Sequence, residues 1–293
     1  MGAEQIARVL GDQEWMDGLA TPVQEAIRKL FDAAGEGGRA AKKLLHGSAL
    51  GHPLHPALIE LPVGAWTLAA IFDAIELAGG GSRGKVADQA IGVGVLGALG
   101  AAVAGITDWS ETDGRAKRIG LTHGVMNVTA TGLYVVSLML RRRSRTKGIS
   151  VGMMAFGVAM ASAFLGGHLT YGEQIGVDHT ATSDQGKPDA FVDVLDASAL
   201  AENTPTRVHA DGVAILLVKQ RDKIFALRET CTHLGGPLAE GKLEGDSIRC
   251  PWHGSRFCLT DGRVLDGPAV FPERVFEVRV RDGRVEVRAP QEQ

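Results

Sequence analysis

Two short stretches near the C-terminal end carry side chains whose types and spacing suit metal chemistry. Cys231-Thr232-His233-Leu234-Gly235-Gly236 and Cys250-Pro251-Trp252-His253-Gly254-Ser255 each present one thiol and one imidazole, with sixteen residues between His233 and Cys250. A structural Cys2His2 zinc site usually runs Cys-x2–4-Cys and then His-x3–5-His, whereas here the two residue types are divided evenly between the stretches. That division suits a [2Fe–2S] cluster whose two thiolates hold one iron and whose two neutral imidazoles hold the other. Neutral nitrogen in place of anionic sulfur eases reduction and places such centres at roughly −150 to +300 mV. The flanking glycines and proline also let backbone N–H groups come close to bridging sulfides. Zinc stays as the alternative.

Around these ligands, residues Phe191 to Ala289 resemble the Rieske ferredoxin family. The resemblance implies an all-β domain of antiparallel sheets with a cluster-binding loop subdomain, in which Cys231, His233, Cys250 and His253 ligate the metal. It also implies that Pro268, in Gly267-Pro268-Ala269, belongs to a loop covering the cluster, and that Ser255 donates a hydrogen bond to it. Rieske proteins of quinol-oxidising complexes carry an additional Cys where this chain has Gly236 and Trp252, and a Tyr where it has Phe257. Without that disulfide and phenol the reduced state is less stabilised, so a potential in the lower half of the range is expected. Each histidine is expected to keep one nitrogen on iron and the other exposed, able to exchange a proton with the electron.

The elements that must carry this head read as follows. Val208–Ala210, Gly212–Lys219 and Lys223–Leu227 lead as strands into the first ligand stretch. Phe271–Val280 and Val285–Val287, joined by Arg281-Asp282-Gly283-Arg284, read as a closing hairpin. Upstream, Pro56–Ala78, Ala90–Thr107, Leu121–Leu140 and Ile149–Tyr171 are apolar and near the roughly 20 residues a membrane-crossing helix needs. Gly97, Ala101 and Gly105 form a small-residue stripe that lets helices approach. Residues 1–47 read as amphipathic helices, with Thr21-Pro22 opening one, and show no signal-peptide pattern. The expected plan is therefore N-terminal helices at 1–47, an all-α four-helix transmembrane bundle at 48–175, a polar linker at 176–189 and the Rieske domain at 190–290.

The chain is long enough for two domains, and its net charge of −3 carries no nucleic-acid footprint. It has three cysteines, so with two assigned as ligands Cys258 reads as a half-buried strand residue. Arg83, Lys85, Arg141, Arg142, Arg143, Arg145 and Lys147 flank the spans on one side, and Arg39, Lys42, Lys43, Arg115, Lys117 and Arg118 on the other. That near-tie leaves the orientation open. An even number of spans puts His52, His55, His123 and His168, with Glu60 and Asp108, at the face that carries the Rieske domain. Asn127 lies one turn from His123, where it can orient the ring. Such groups either sit among headgroups or form a second site, for a haem or other metal between helices or for a quinone headgroup. Asp73 and Glu76 read as interfacial at the opposite face.

The membrane half resembles a family of uncharacterised four-helix bacterial membrane domains, over roughly 48–180. The resemblance rests on Gly51-His52-Pro53-Leu54-His55-Pro56-Ala57, Leu61-Pro62-Val63-Gly64, His123 to Asn127, and Gly166-Gly167-His168-Leu169 with Tyr171. It implies an integral plasma-membrane protein of bacterial type, and no activity. Three functions stay open. The first is an electron carrier between a redox partner protein (a reductase or oxygenase) and something in the bilayer. The others are a redox sensor signalling through the helices and a quinone-linked oxidoreductase module. A catalytic oxygenase is not expected, because the forty residues after His253 contain no histidine for a two-His-one-carboxylate iron site.

Overall fold

The computed structural model describes residues 3–80, 84–181 and 188–290. Residues 182–187 of the expected linker, and Arg83 of the charge comparison, lie outside the described residues. The chain forms two compact units, Met1–Gly38 with Pro53–Ile175, and Arg39–His52 with Gly176–Gln293.

The first unit is helical. Its long helices are α4 (Leu54–Leu77), α5 (Gly84–Trp109), α6 (Gly114–Arg141) and α7 (Arg145–Tyr171), preceded in the chain by α1 (Ala3–Gly11), α2 (Asp17–Ala33) and α3 (Gly35–His46). All four long helices are apolar and long enough to cross a membrane, at 24, 26, 28 and 27 residues. At 1.5 Å per residue each exceeds the roughly 30 Å hydrocarbon core.

Helices α5, α6 and α7 outrun the apolar runs, and charged residues in their added turns find partners. Arg141 forks onto Asp73 and also reaches Asp88, while Arg145 reaches Glu76 and Asp88. Asp73, expected to be interfacial, is buried in this network. At the other ends, Asp17 accepts from both Lys117 and Arg118. Helix α2 starts at Asp17, with Pro22 inside it, rather than at Thr21. It is held by Gln24, whose amide donates to the carbonyls of Trp109 and Thr112. Between the long helices, Trp66 stacks on Tyr134 at 4.4 Å in a core of alanines. Ala101 of the small-residue stripe on α5 is buried, as close helix packing requires.

The second unit holds three antiparallel sheets. Strands β1 (Val192–Asp196), β10 (Arg284–Arg288) and β9 (Glu277–Arg281) form one, and β2 (Thr206–Ala210), β3 (Val213–Gln220) and β4 (Lys223–Arg228) the next. The third is β5 (Lys242–Glu244), β6 (Ser247–Arg249), β7 (Arg256–Cys258) and β8 (Val264–Asp266). Asp282 and Gly283 both take positive φ, at 52° and 76°, and close the β9–β10 hairpin in the two-residue form that matches strand twist. The expected strand from Phe271 shortens to β9 because residues 271–276 serve other partners. Arg228 N–H donates to the Arg274 carbonyl and Phe276 N–H to that of Ala226. One core lies between the first two sheets around Ile215, Leu217, Phe276 and Val285. A second, around Leu216, Leu227, Ile248 and Phe257, includes Cys231 and Cys250.

Candidate metal centre

The two ligand stretches are loops built on one backbone plan. The first joins β4 to β5 and the second joins β6 to β7. In each, the Cys N–H donates to the carbonyl five residues on, Cys231 to Gly236 and Cys250 to Ser255, both at 2.8 Å. In each, the N–H four residues on returns to the Cys carbonyl, from Gly235 at 2.9 Å and Gly254 at 3.2 Å. Both returning residues are glycines at φ 77° and 74°, a conformation L side chains rarely adopt. The Gly at the fourth position after each Cys was thus a signal of loop geometry in the sequence itself.

This plan brings the four donors together as two pairs. The Cys231 thiol donates to Cys250 Sγ, which draws Cys250 down to about 7 and holds Cys231 well above the usual thiol range, with burial adding to the second effect. The His233 and His253 rings stand edge to face, with centroids 5.0 Å apart. Burial first, then His253, His46, His179 and Lys42, press His233 down to about 3. A ring so held is neutral, as a metal ligand must be. Its Nδ1 is buried without a hydrogen-bond partner, a position normally satisfied in proteins.

Among the described residues, no three of His, Cys, Asp or Glu are placed to share a single ion. A thiol pair beside an imidazole pair fits two irons better than one zinc. The orphaned His233 nitrogen and the neutral ring therefore fit the [2Fe–2S] group. A Cβ on Gly236 would lie 2.8 Å from Cys250 Sγ and 3.2 Å from the Trp252 ring, so glycine there lets the two loops approach closely.

The Gly267-Pro268-Ala269 loop, expected to cover the cluster, meets the loop of Cys250 and His253 through Ser255. This residue is buried, and its Oγ accepts from Ala269 N–H at 2.9 Å, one residue after Pro268. A hydroxyl that accepts there keeps its own hydrogen to donate. Trp252, beside His253, is 57% exposed.

Sequence reasoning did not single out Glu273. Its Oε1 accepts from Thr232 N–H at 2.8 Å, between Cys231 and His233, and Thr232 Oγ donates to the Phe271 carbonyl. Burial raises the Glu273 carboxyl well above the usual range. It lies 41 residues from Thr232, with no local pattern to mark it. Cys258 is buried in β7, where its thiol bonds Asp261.

The other histidines are distributed as follows. His52 falls in the second unit, and His55, His123 and His168 in the first. His55 Nδ1 bonds the Ala101 carbonyl at 2.8 Å. His123 Nδ1 bonds the Ser162 carbonyl at 2.9 Å, while Asn127 donates to its Nε2 at 3.0 Å, the orienting contact expected from their spacing. His168 Nε2 is 3.6 Å from Glu173. Both nitrogens of His123 are therefore already engaged.

Residues 190–279 match the family described as the Rieske [2Fe-2S] domain, and residues 51–180 the family described as "Predicted membrane protein (DUF2231)". Ferredoxin CarAc of Metapseudomonas resinovorans is 40% identical over 98 residues, covering 33% of this chain and 92% of that protein. The ferredoxin component of biphenyl 2,3-dioxygenase from Rhodococcus jostii (strain RHA1) is 31% identical over 91 residues, covering 31% and 85%. Among solved structures, the ferredoxin of carbazole 1,9a-dioxygenase from Nocardioides aromaticivorans IC177 is 27% identical with a TM-score of 0.33, covering 34% of this chain and 99% of that one.

Proposed function

Since the chain belongs to the Rieske [2Fe–2S] family through residues 190–279 and to the predicted membrane protein family through 51–180, we propose that it is a membrane-anchored carrier of single electrons. Cys231 and Cys250 would hold one iron, and His233 and His253 the other. When bound, the cluster takes up and releases one electron at a time.

The protein's own residues do the rest. The matched loop turns aim both cysteines inward, and burial keeps His233 neutral. Ser255 ties the covering loop to the second ligand loop. Trp252 and the half-buried His253 form the edge at which a partner approaches. That partner is a soluble reductase or oxygenase of the kind served by the relatives named for dioxygenase systems. The second exchange is with an acceptor or donor in a bacterial plasma membrane, where the four long helices anchor the chain.

The observation that carries the reading is the thiol pair and the imidazole pair brought together by two loops of one design. Iron and acid-labile sulfide are measured on the full-length protein in detergent, with an EPR spectrum after reduction by dithionite. Two irons and two sulfides per chain with a rhombic signal are expected; stoichiometric zinc without sulfide overturns the reading.

A further inference from the structure

Residues just ahead of the first span are compact with the β domain, which contains residues 39–52. Helix α3 ends there in a turn dictated by glycine. Gly47 takes φ 81°, Ser48 N–H returns to the Lys43 carbonyl at 3.1 Å and Gly47 N–H to that of Leu44 at 2.9 Å. This is the Schellman pattern, which stops a helix and fixes the direction of the next residue. The turn presents Ser48 to the covering loop, and its hydroxyl donates to the Ala269 carbonyl at 2.7 Å. Ala269 is the residue whose N–H reaches Ser255.

His46, the last residue of α3, is 1% exposed. A Cβ on Gly267 would lie 2.9 Å from Ser48 Oγ and 3.1 Å from His46 Cδ2, so the segment packs closely on the loop at Gly267. The Rieske family match spans 190–279 and does not include the segment.

We propose that residues 39–52 are a strap that completes the enclosure of the cluster, with His46 and Ser48 as positioning residues that act through the covering loop. Ser48 holds the loop down from outside as Ser255 holds it from within. His46 fills the space beside Gly267 and keeps water from that flank, so exchange with partners is confined to the edge formed by Trp252 and His253. The strap rests on the assignment of Cys231, His233, Cys250 and His253 as cluster ligands.

The test uses the full chain in detergent, with Ser48→Ala, His46→Ala and Ser48→Thr beside wild type. Iron and sulfide are counted first. Bleaching of the iron–sulfur absorbance is then followed in excess EDTA. Loss of one hydrogen bond is expected to make Ser48→Ala bleach about 5-fold faster, the equivalent of about 1 kcal/mol at 1.4 kcal/mol per tenfold. Ser48→Thr, which keeps the hydroxyl, is expected to bleach like wild type. In D2O, deuterium modulation in pulsed EPR of the reduced protein is expected to deepen for His46→Ala and Ser48→Ala, because water enters beside the cluster. Unchanged bleaching and unchanged modulation at normal iron and sulfide content overturn the strap alone. Wild-type protein lacking iron and sulfide overturns the ligand assignment, and the strap with it.

Discussion

Replacing Ser255 by Ala removes two separate things, and each has its own measurement. The first is an acceptor. Ala269 N–H donates to Ser255 Oγ at 2.9 Å, and both residues are buried. A buried N–H left without a partner costs about 1–3 kcal/mol, so unfolding of the head is expected to become easier by that amount. The second is a donor. The hydroxyl hydrogen is not used by the Ala269 contact and would be available to donate to the cluster. Hydrogen bonds to charged groups are worth about 1.5–3 kcal/mol against about 0.5–1.5 for neutral ones, and reduction adds one negative charge. The reduced state is thus favoured by about 1–1.5 kcal/mol. At about 59 mV per tenfold for one electron, Ser255→Ala is expected to lower the midpoint by roughly 40–60 mV. An EPR-monitored redox titration of the full-length protein reads this, with thermal unfolding in parallel. A midpoint that stays in place while the cluster remains intact would refute the donor role. Unaltered unfolding would refute the tie to the covering loop.

Two further expectations concern the helical unit. The Arg141 and Asp73 side chains are 1% and 2% exposed, so Asp73→Asn leaves a buried guanidinium short of charge and is expected to cost about 3–5 kcal/mol. Asp88, at 38% exposed, should cost far less when changed to Asn; equal melting of the two variants in detergent would contradict this account. Asp17 is drawn down to about 2, chiefly by its hydrogen bond from Arg118. A depressed carboxylate contributes stability above its ordinary 3.8 and loses it as pH falls toward 2. Thermal melts across that acid range should therefore be flatter for Asp17→Asn than for wild type, and parallel slopes would count against the ion pair.

What could be read without a structure was whatever is encoded over short distances. The ligand pairs, the glycine four places after each Cys, the Asp282-Gly283 hairpin and the placing of Asn127 one turn from His123 all depend on neighbours within a few residues. The membrane helices were legible because about 20 apolar residues in a row is a local property. Their true ends were not, because Asp88, Arg141 and Arg145 lie in the added turns of α5, α6 and α7 and pair across different helices, Arg141 with Asp73 of α4 as well. Glu273 under Thr232, and Ser48 over Ala269, are joined across 41 and 221 residues. Nothing in the spacing of a sequence marks such contacts. They exist because folding buries polar groups that must then find partners, and only the packed chain determines which partners are within reach.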